Sequence, residues 1–394
     1  MREFKRTHPW LKFSLDLNNL GHWTWYRLGE TVSMSDVLAG IPLRPEAAKR
    51  LHRVFLAKGA LATTAIEGNT LSEAEVMEHL EGRLELPPSR RYLAREVDNI
   101  VRACNRIAKE ILGGKSGSLS PGEILTLNRE VLEGLPLPEE VVPGRIRNYS
   151  VTVGRYRAVP AKDCAFLLEQ FCDWLESVKF PEEMEKAGAL LKAIAAHLFF
   201  VWIHPFGDGN GRTARLIEFR LLLEGGYPTP SAHLLSNFYN QTRAEYYRLL
   251  DEAARSGGKP EGFIEYAVQG YSDQLREQIR VVRAEQLRES WRNYVYERFG
   301  KGSDAHLRRR RLVLDLSDAG GKEGWVPISR IPELSPKLAR EYAKKTEKTL
   351  SRDLNLLKEM DLIERKGRSV RARKEIILAF LPPRADPLEK GVVS

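Results

Sequence analysis

From Leu190 to Ile203 the chain is almost wholly apolar, interrupted only by Lys192 and His197. A run of that length is too long for a strand and suits a buried helix. Pro205 and the glycines at 207, 209 and 211 cannot continue it, so the chain turns there. Leu216, Phe219, Leu222 and Leu223 then recur at helical spacing, which starts a second helix near Gly211. The stretch between them is a tight loop opening onto a helix N-terminus.

Helical spacing governs most of the chain before this point. Ala47, Leu51, Val54, Phe55, Ala62 and Ile66 predict a helix from Pro45 to Glu67, with Pro45 at a first helical position and Gly68 as its stop. Ser72 and Glu75 restart a helix as a capping box. Residues 89–133 read as two helices separated by Gly113 to Gly117, the second starting at Ser120. Alternation in Ser150 to Val153, a turn at Gly154-Arg155 and the return through Tyr156 to Val159 predict a small hairpin. Residues 1–40 hold Trp10, Trp23, Trp25 and Tyr26 among turn-formers and read as an arm whose aromatics pack on the core.

Helices are also expected over 164–180, 181–203, 236–254 and 263–298. In the tail, helical stretches around Leu312 to Leu316, Pro336 to Ala343 and Thr349 to Leu357 precede a basic hairpin over Asp361 to Arg368 and Val370 to Ala379. Leu350, Leu354 and Leu357 make the inner stripe of the third helix, and Lys348, Thr349, Arg352 and Asn355 point away. Three helices followed by a hairpin resemble a winged helix-turn-helix domain, which implies DNA contacts by Lys348, Thr349 and Arg352, with Arg368 on the wing.

Charge sharpens that division. The net charge of +9 sits in the tail, where residues 301–394 hold 22 Lys and Arg against 14 Asp and Glu. DNA binding is therefore considered for residues 303–394 alone. The three cysteines lack metal-ligand spacing and suit free thiols in a reducing cytoplasm. No signal peptide is expected, nor any apolar stretch long enough to cross a membrane.

The loop carries the chemistry. Gly209, Asn210 and Gly211 let backbone N–H groups gather at the positive end of a helix, an arrangement that binds phosphate. Arg212 and Arg215 lie three apart, so both can reach one polyphosphate. Asp208 offers a hard oxygen suited to Mg²⁺, and His204 can accept a proton from a hydroxyl. Singly, a histidine at a helix end is more often a cap, and Gly-Asn-Gly more often a turn. Together they specify phosphoryl or nucleotidyl transfer.

His204-Pro205-Phe206-Gly207-Asp208-Gly209-Asn210-Gly211-Arg212-Thr213-Ala214-Arg215 resembles the complete signature of the Fic family. The resemblance covers roughly residues 45–290. It implies a mostly α fold: a Fic-type helical core with a small β-hairpin flap, here joined to the winged helix-turn-helix tail. The expected divisions are an N-terminal helical region to 115, a core over 116–270, a helical linker over 271–302 and the tail from 303. The family's protein adenylyltransferases move AMP from ATP to a Ser, Thr or Tyr hydroxyl, so ATP, Mg²⁺ and a hydroxyl-bearing target protein (this chain itself included) are the implied partners, with a homodimer as a further expectation. His204 would be the base, Asp208 the metal ligand and Phe206 an anchor of the loop.

Thr63 to Asn69 match the Ser/Thr-x-x-x-Glu-Gly/Asn pattern of an inhibitory helix. On that resemblance Thr63, Glu67, Gly68 and Asn69 form the inhibitory segment, and Glu67 competes with ATP for Arg215. Gly144, Arg145, Arg147, Val151 and Val153 would belong to the flap that holds the target as an added strand. Tyr247 and Leu250 would lie near adenine, and Ala254 stands where relatives often carry Asn. Transfer of another nucleotide, removal of AMP assisted by Glu67, and a DNA-binding regulator with a nucleotide-sensing core are the alternatives.

Overall fold

In the computed structural model, residues 2–114, 117–300, 302–319 and 324–378 are described. Lys115 and Ser116 of the expected interhelical break, Ala379 of the expected hairpin, and the tail beyond it lie outside them. Internal packing divides the chain into two units, Met1–Val282 and Arg283–Ser394.

The first unit is helical. Its helices are α1 (Phe4–Thr7), α2 (His22–Ala39), α3 (Pro45–Ile66), α4 (Glu73–Leu80), α5 (Arg91–Leu112), α6 (Pro121–Leu132), α7 (Ala161–Ser177), α8 (Glu185–Ile203), α9 (Asn210–Glu224), α10 (Leu234–Gln241) and α11 (Arg243–Arg255). Helix α12 (Glu261–Phe299) starts in this unit and ends in the second. Helices α8 and α9 pack together at the centre, with α7 against α8, α5 and α6 against α9, and α3 against α5, α9 and α10. Every residue from Ala193 to Phe200 and from Arg212 to Leu223 is buried. A helix apolar on all sides, as α8 is, is stable inside a core or across a membrane. By length and composition Glu182–Ile203 would suffice to cross a membrane, contrary to the sequence expectation, and most of it is buried inside the protein.

The termini of α3 and α4 follow their sequence signals. Pro45 opens α3, and Gly68, at φ 106°, takes a backbone conformation beyond it that few other residues tolerate. Ser72 and Glu75 satisfy each other's backbone N–H groups at the start of α4. The hairpin is short: β1 (Thr152–Val153) pairs antiparallel with β2 (Tyr156–Arg157), and Ala158 N–H donates to Val151 O at 3.1 Å.

Two further expectations change. Residues 1–40 include the 18-residue helix α2, and Trp23 and Tyr26 on it are exposed. Trp10 does pack edge-on against Trp202, with ring centroids 4.7 Å apart. The helix expected over 236–254 is two, α10 and α11, because Thr242 departs from helical dihedrals and its hydroxyl bonds back to Phe238 O.

The second unit contains α13 (Asp304–Ala319), α14 (Pro336–Tyr342) and α15 (Glu347–Glu359) with the strands β3 (Val326–Pro327), β4 (Ile363–Lys366) and β5 (Ser369–Ala372) in the order β3-β5-β4. Leu354 and Leu357 of α15 are buried with Leu312, Leu338 and Val370. Asp353, buried on the same helix, accepts from Arg308, Arg309 and the Tyr342 hydroxyl. Lys348 and Arg352 are exposed on α15, as is Arg368 beside the β4–β5 turn, while Thr349 is half-buried.

Candidate active site

The loop between α8 and α9 is held by its own side chains. His204 ends α8 in the left-handed region, at φ 49° and ψ 60°. Asn210 closes the loop on itself: its Oδ1 accepts from Phe206 N–H at 3.0 Å and its Nδ2 donates to Phe206 O at 2.9 Å. The Phe206 ring is buried, which stabilises the loop by about 2 kcal/mol. Gly209 has φ 76°, and a Cβ on Gly207 would lie 2.1 Å from the Tyr149 hydroxyl. Position 209 therefore requires glycine, and a side chain at 207 would displace the Tyr149 hydroxyl.

Two polar side chains tie the loop to its surroundings. Asn128 on α6 donates to Asp208 O at 3.0 Å and accepts from Gly144 N–H at 2.9 Å. Arg147 donates to three carbonyls, His204 at 2.8 Å, Tyr149 at 2.6 Å and Val159 at 2.7 Å. Its backbone N–H bonds to Pro205 O. Arg147 is thus a buried strut between the loop and the chain flanking the hairpin. Gly144 (φ 72°) and exposed Arg145 belong to the turn before the strands, and Val151 and Val153 belong to the hairpin itself.

Arg212 and Arg215 each centre a charged cluster at the start of α9. Arg215, fully enclosed, donates from Nη2 to Glu67 Oε1 at 2.6 Å and to Thr63 O at 2.9 Å. Its Nε and Nη1 have no partner among the described residues. Burial alone would raise the Glu67 carboxyl, but the charge and hydrogen bond of Arg215 outweigh it and hold the group below its ordinary value. A carboxylate at a helix C-terminus meets an unfavourable dipole. Here Arg215 offsets it, and Arg243 and the Tyr247 hydroxyl bond the end carbonyls of Ala65 and Ile66 at 3.2 and 3.3 Å.

In the other cluster, Arg212 donates from Nη1 to Glu96 Oε1 and from Nη2 to Asp208 Oδ1, each at 3.0 Å. Asn69 donates to Glu96 Oε2 at 2.8 Å. Gly211 lies beside Glu67, and a Cβ there would be 2.2 Å from Glu67 Oε1. The sequence-predicted residues Thr63, Glu67, His204, Asp208 and Gly209 to Arg215 are therefore brought together.

A cleft of about 410 Å³ opens over this centre. Glu67, His204, Gly211, Tyr156, Tyr247 and Leu250 all line it. His204 Nδ1 lies 3.3 Å from Val201 O. A carbonyl only accepts, so Nδ1 carries the proton and Nε2 keeps its lone pair. Burial drives the imidazole down to about 4, leaving it neutral near pH 7. Tyr156 anchors the hairpin beside it through a bond from its hydroxyl to Trp202 O at 2.7 Å.

Among the described residues no group of three or more His, Cys, Asp or Glu gathers as a metal cage. Asp208 is a single half-exposed carboxylate beside the helix N-terminus. That donor set fits Mg²⁺, which commonly takes one protein carboxylate and fills its other positions with phosphate oxygens and water.

Glu96, Asn128 and the strut role of Arg147 went unread in the sequence. Asn128 stands where the stripe of Ile124, Leu127 and Val131 calls for an apolar residue, which is the signal for a buried polar group with a structural partner. Glu96 borders the stripe of Leu93, Val97 and Ile100, but only the fold places it against Arg212.

Residues 118–222 match the model of the Fic/DOC family. The chain is 32% identical over 204 residues to Protein adenylyltransferase fic-1 of Caenorhabditis elegans, an alignment covering 52% of this chain and 37% of that one. It is 30% identical over 225 residues to Protein adenylyltransferase Fic of Nematostella vectensis, covering 57% and 49%. The chain thus spans less than half the length of these two relatives. Its mostly helical fold is shared with a Fic family protein from Desulfovibrio desulfuricans G20, at a TM-score of 0.54 and 23% identity over 89% of this chain and 94% of that one. Fic-1 from C. elegans aligns at a TM-score of 0.54 and 26% identity, covering 66% and 73%.

Proposed function

We propose that the first unit is a self-inhibited protein adenylyltransferase that moves AMP from ATP to a Ser, Thr or Tyr hydroxyl. The observation that carries this reading is the placement of Glu67 on Arg215, beside a neutral His204, at the floor of an open cleft. His204 Nε2 takes the hydroxyl proton as the hydroxyl oxygen attacks the α-phosphorus. The bond from that phosphorus to the bridging oxygen breaks, and pyrophosphate leaves. N–H groups of the first turn of α9, which lack intrahelical acceptors, hold the phosphates with Arg212 and Arg215. Mg²⁺ bound at Asp208 would neutralise phosphate charge. Tyr247 and Leu250 border the base, and the hairpin edge receives the target segment. In the resting chain Glu67 takes the guanidinium that the γ-phosphate needs.

Three buried, unreactive thiols suit a cytoplasmic setting: burial raises Cys164 to about 11 and Cys172 to about 12, and Cys104 further.

Transfer of label from α-labelled ATP with Mg²⁺ tests the reading in wild type, Glu67→Gly and Glu67→Gly/His204→Ala. Self-modification should appear in the single variant and vanish in the double variant. Silence in all three despite ATP binding would remove the adenylyltransferase reading.

For the second unit we propose a winged-helix role in DNA binding. Its support is twofold: the exposed basic face of α15, with Lys348 and Arg352, and the exposed Arg365, Lys366 and Arg368 at the end of the β4–β5 hairpin. Duplex binding that weakens steeply with salt, and weakens further in Arg352→Ala, is the expected result. Binding to none of a random duplex pool would exclude it.

A further inference from the structure

Arg212 and Arg215, in the first two turns of the loop helix, each lie against a carboxylate, and the segment carrying Glu67 touches both pairs. Two residues beyond Glu67, Asn69 is buried, and its amide is fixed by three bonds. Its Oδ1 accepts from Leu71 N–H at 3.0 Å, and its Nδ2 donates at 2.8 Å both to Leu93 O and to Glu96 Oε2. The other oxygen of Glu96 accepts from Arg212 Nη1 at 3.0 Å. Arg212 Nη2 donates to Asp208, and Arg212 Nε is buried with no partner among the described residues.

A guanidinium is a rigid plane with five donors in fixed directions. The Arg212 side chain is only 5% exposed, so it has little room to choose another orientation. Fixing Nη1 on Glu96 therefore decides where Nη2 and Nε point. Glu96 bonds Arg212 at the start of the loop helix, so an effect of Glu96 on a bound nucleotide runs through that arginine.

Resting on the adenylyltransferase reading, we propose that Glu96 is the positioning residue for Arg212, and that Asn69 makes this hold depend on the inhibitory segment. Withdrawal of Glu67 from Arg215 then also shifts the bonding of Arg212, and the two arginines change together. The pair of carboxylates divides the work. Glu67 competes with the nucleotide for one arginine, and Glu96 aims the other at the phosphates.

The test uses the full chain carrying Glu67→Gly and reads the Kd of a non-hydrolysable ATP analogue with Mg²⁺ by calorimetry. Glu96→Gln should raise that Kd about tenfold, the scale of one charge-assisted hydrogen bond. Arg212→Lys should raise it at least as much, and adding Glu96→Gln to Arg212→Lys should change it less than about twofold. Asn69→Asp keeps the acceptor for Leu71 N–H but faces Glu96 with a carboxylate, and should raise the Kd about threefold. It should add little to Glu96→Gln. Where transfer is measured, KM for ATP should follow the Kd while kcat changes less than about threefold.

A Kd unmoved by Glu96→Gln overturns the proposal, and so does an effect of Glu96→Gln that adds in full to that of Arg212→Lys. Binding is read without chemistry. A Glu67→Gly chain that binds the analogue but transfers no AMP would therefore sink the adenylyltransferase reading while the Kd still decides the role of Glu96.

Discussion

Arg215 and Asp353 are each the buried centre of an ion-pair cluster, one in each unit, and they differ in how completely they are satisfied. Asp353 accepts from two arginines and a tyrosine hydroxyl. Arg215 meets one carboxylate oxygen and one carbonyl from a single nitrogen, and two of its nitrogens stay unpaired among the described residues. Leaving a buried donor unpaired costs about 1–3 kcal/mol. A cluster without that cost is explained by the fold alone. A cluster that retains it is arranged for a further acceptor, and at Arg215 the adjoining cleft gives such an acceptor a way in.

The largest effect is expected from removal of the proposed base. In the Glu67→Gly chain, His204→Ala should lower the rate of self-modification by about 1,000-fold while analogue binding stays within severalfold. Glu67→Gly itself should raise transfer roughly 100-fold over wild type, because it exchanges a charged competitor for free Arg215 donors. The corresponding change in the other unit, Asp353→Ala, should leave nucleotide binding unaltered. It should destabilise the second unit by about 2–3 kcal/mol, read as lost amide-exchange protection along α15 in the full chain. Equal effects of the two carboxylate removals on nucleotide binding would erase the distinction.

The smallest effect expected is one of pH. Under the proposed function the active form of His204 is the neutral one, and its depressed value of about 4 keeps that form present until pH falls through that point. Transfer by the Glu67→Gly chain at pH 5.5 should therefore remain within about twofold of its value at pH 7.5. An imidazole near 6.5 would lose roughly tenfold over the same interval.

Sequence patterning carried the parts of this molecule that are local. The apolar α8, the loop glycines, the Pro45 start and Gly68 stop of α3, and the capping box of α4 each depend on neighbours within a few positions. Helix α2 escaped notice because its aromatics do not form a buried stripe: Trp23 and Tyr26 face solvent while Thr24, Leu28, Thr31 and Ser35 are buried. The partners of the site's charges are long-range and could not be read the same way. Glu96 lies 116 positions from Arg212, and Arg147 lies 57 from the His204 carbonyl that it holds. Arg147 was legible as a member of the hairpin region, but its identity as a carbonyl clamp depends on three strands of chain meeting at one guanidinium.

The end of α3 has a consequence for how the site would respond to its surroundings. With its last carbonyls pinned by Arg243 and Tyr247, α3 presents Glu67 to Arg215 as a tethered ligand at a fixed effective concentration. Under the proposed function, ATP competes against a rival that cannot be diluted. Its apparent affinity is the intrinsic one reduced by the fraction of chains in which the carboxylate has withdrawn. A partner that grips α3 would then act as a gain control, altering the ATP level at which the enzyme turns on without touching a single atom that reacts.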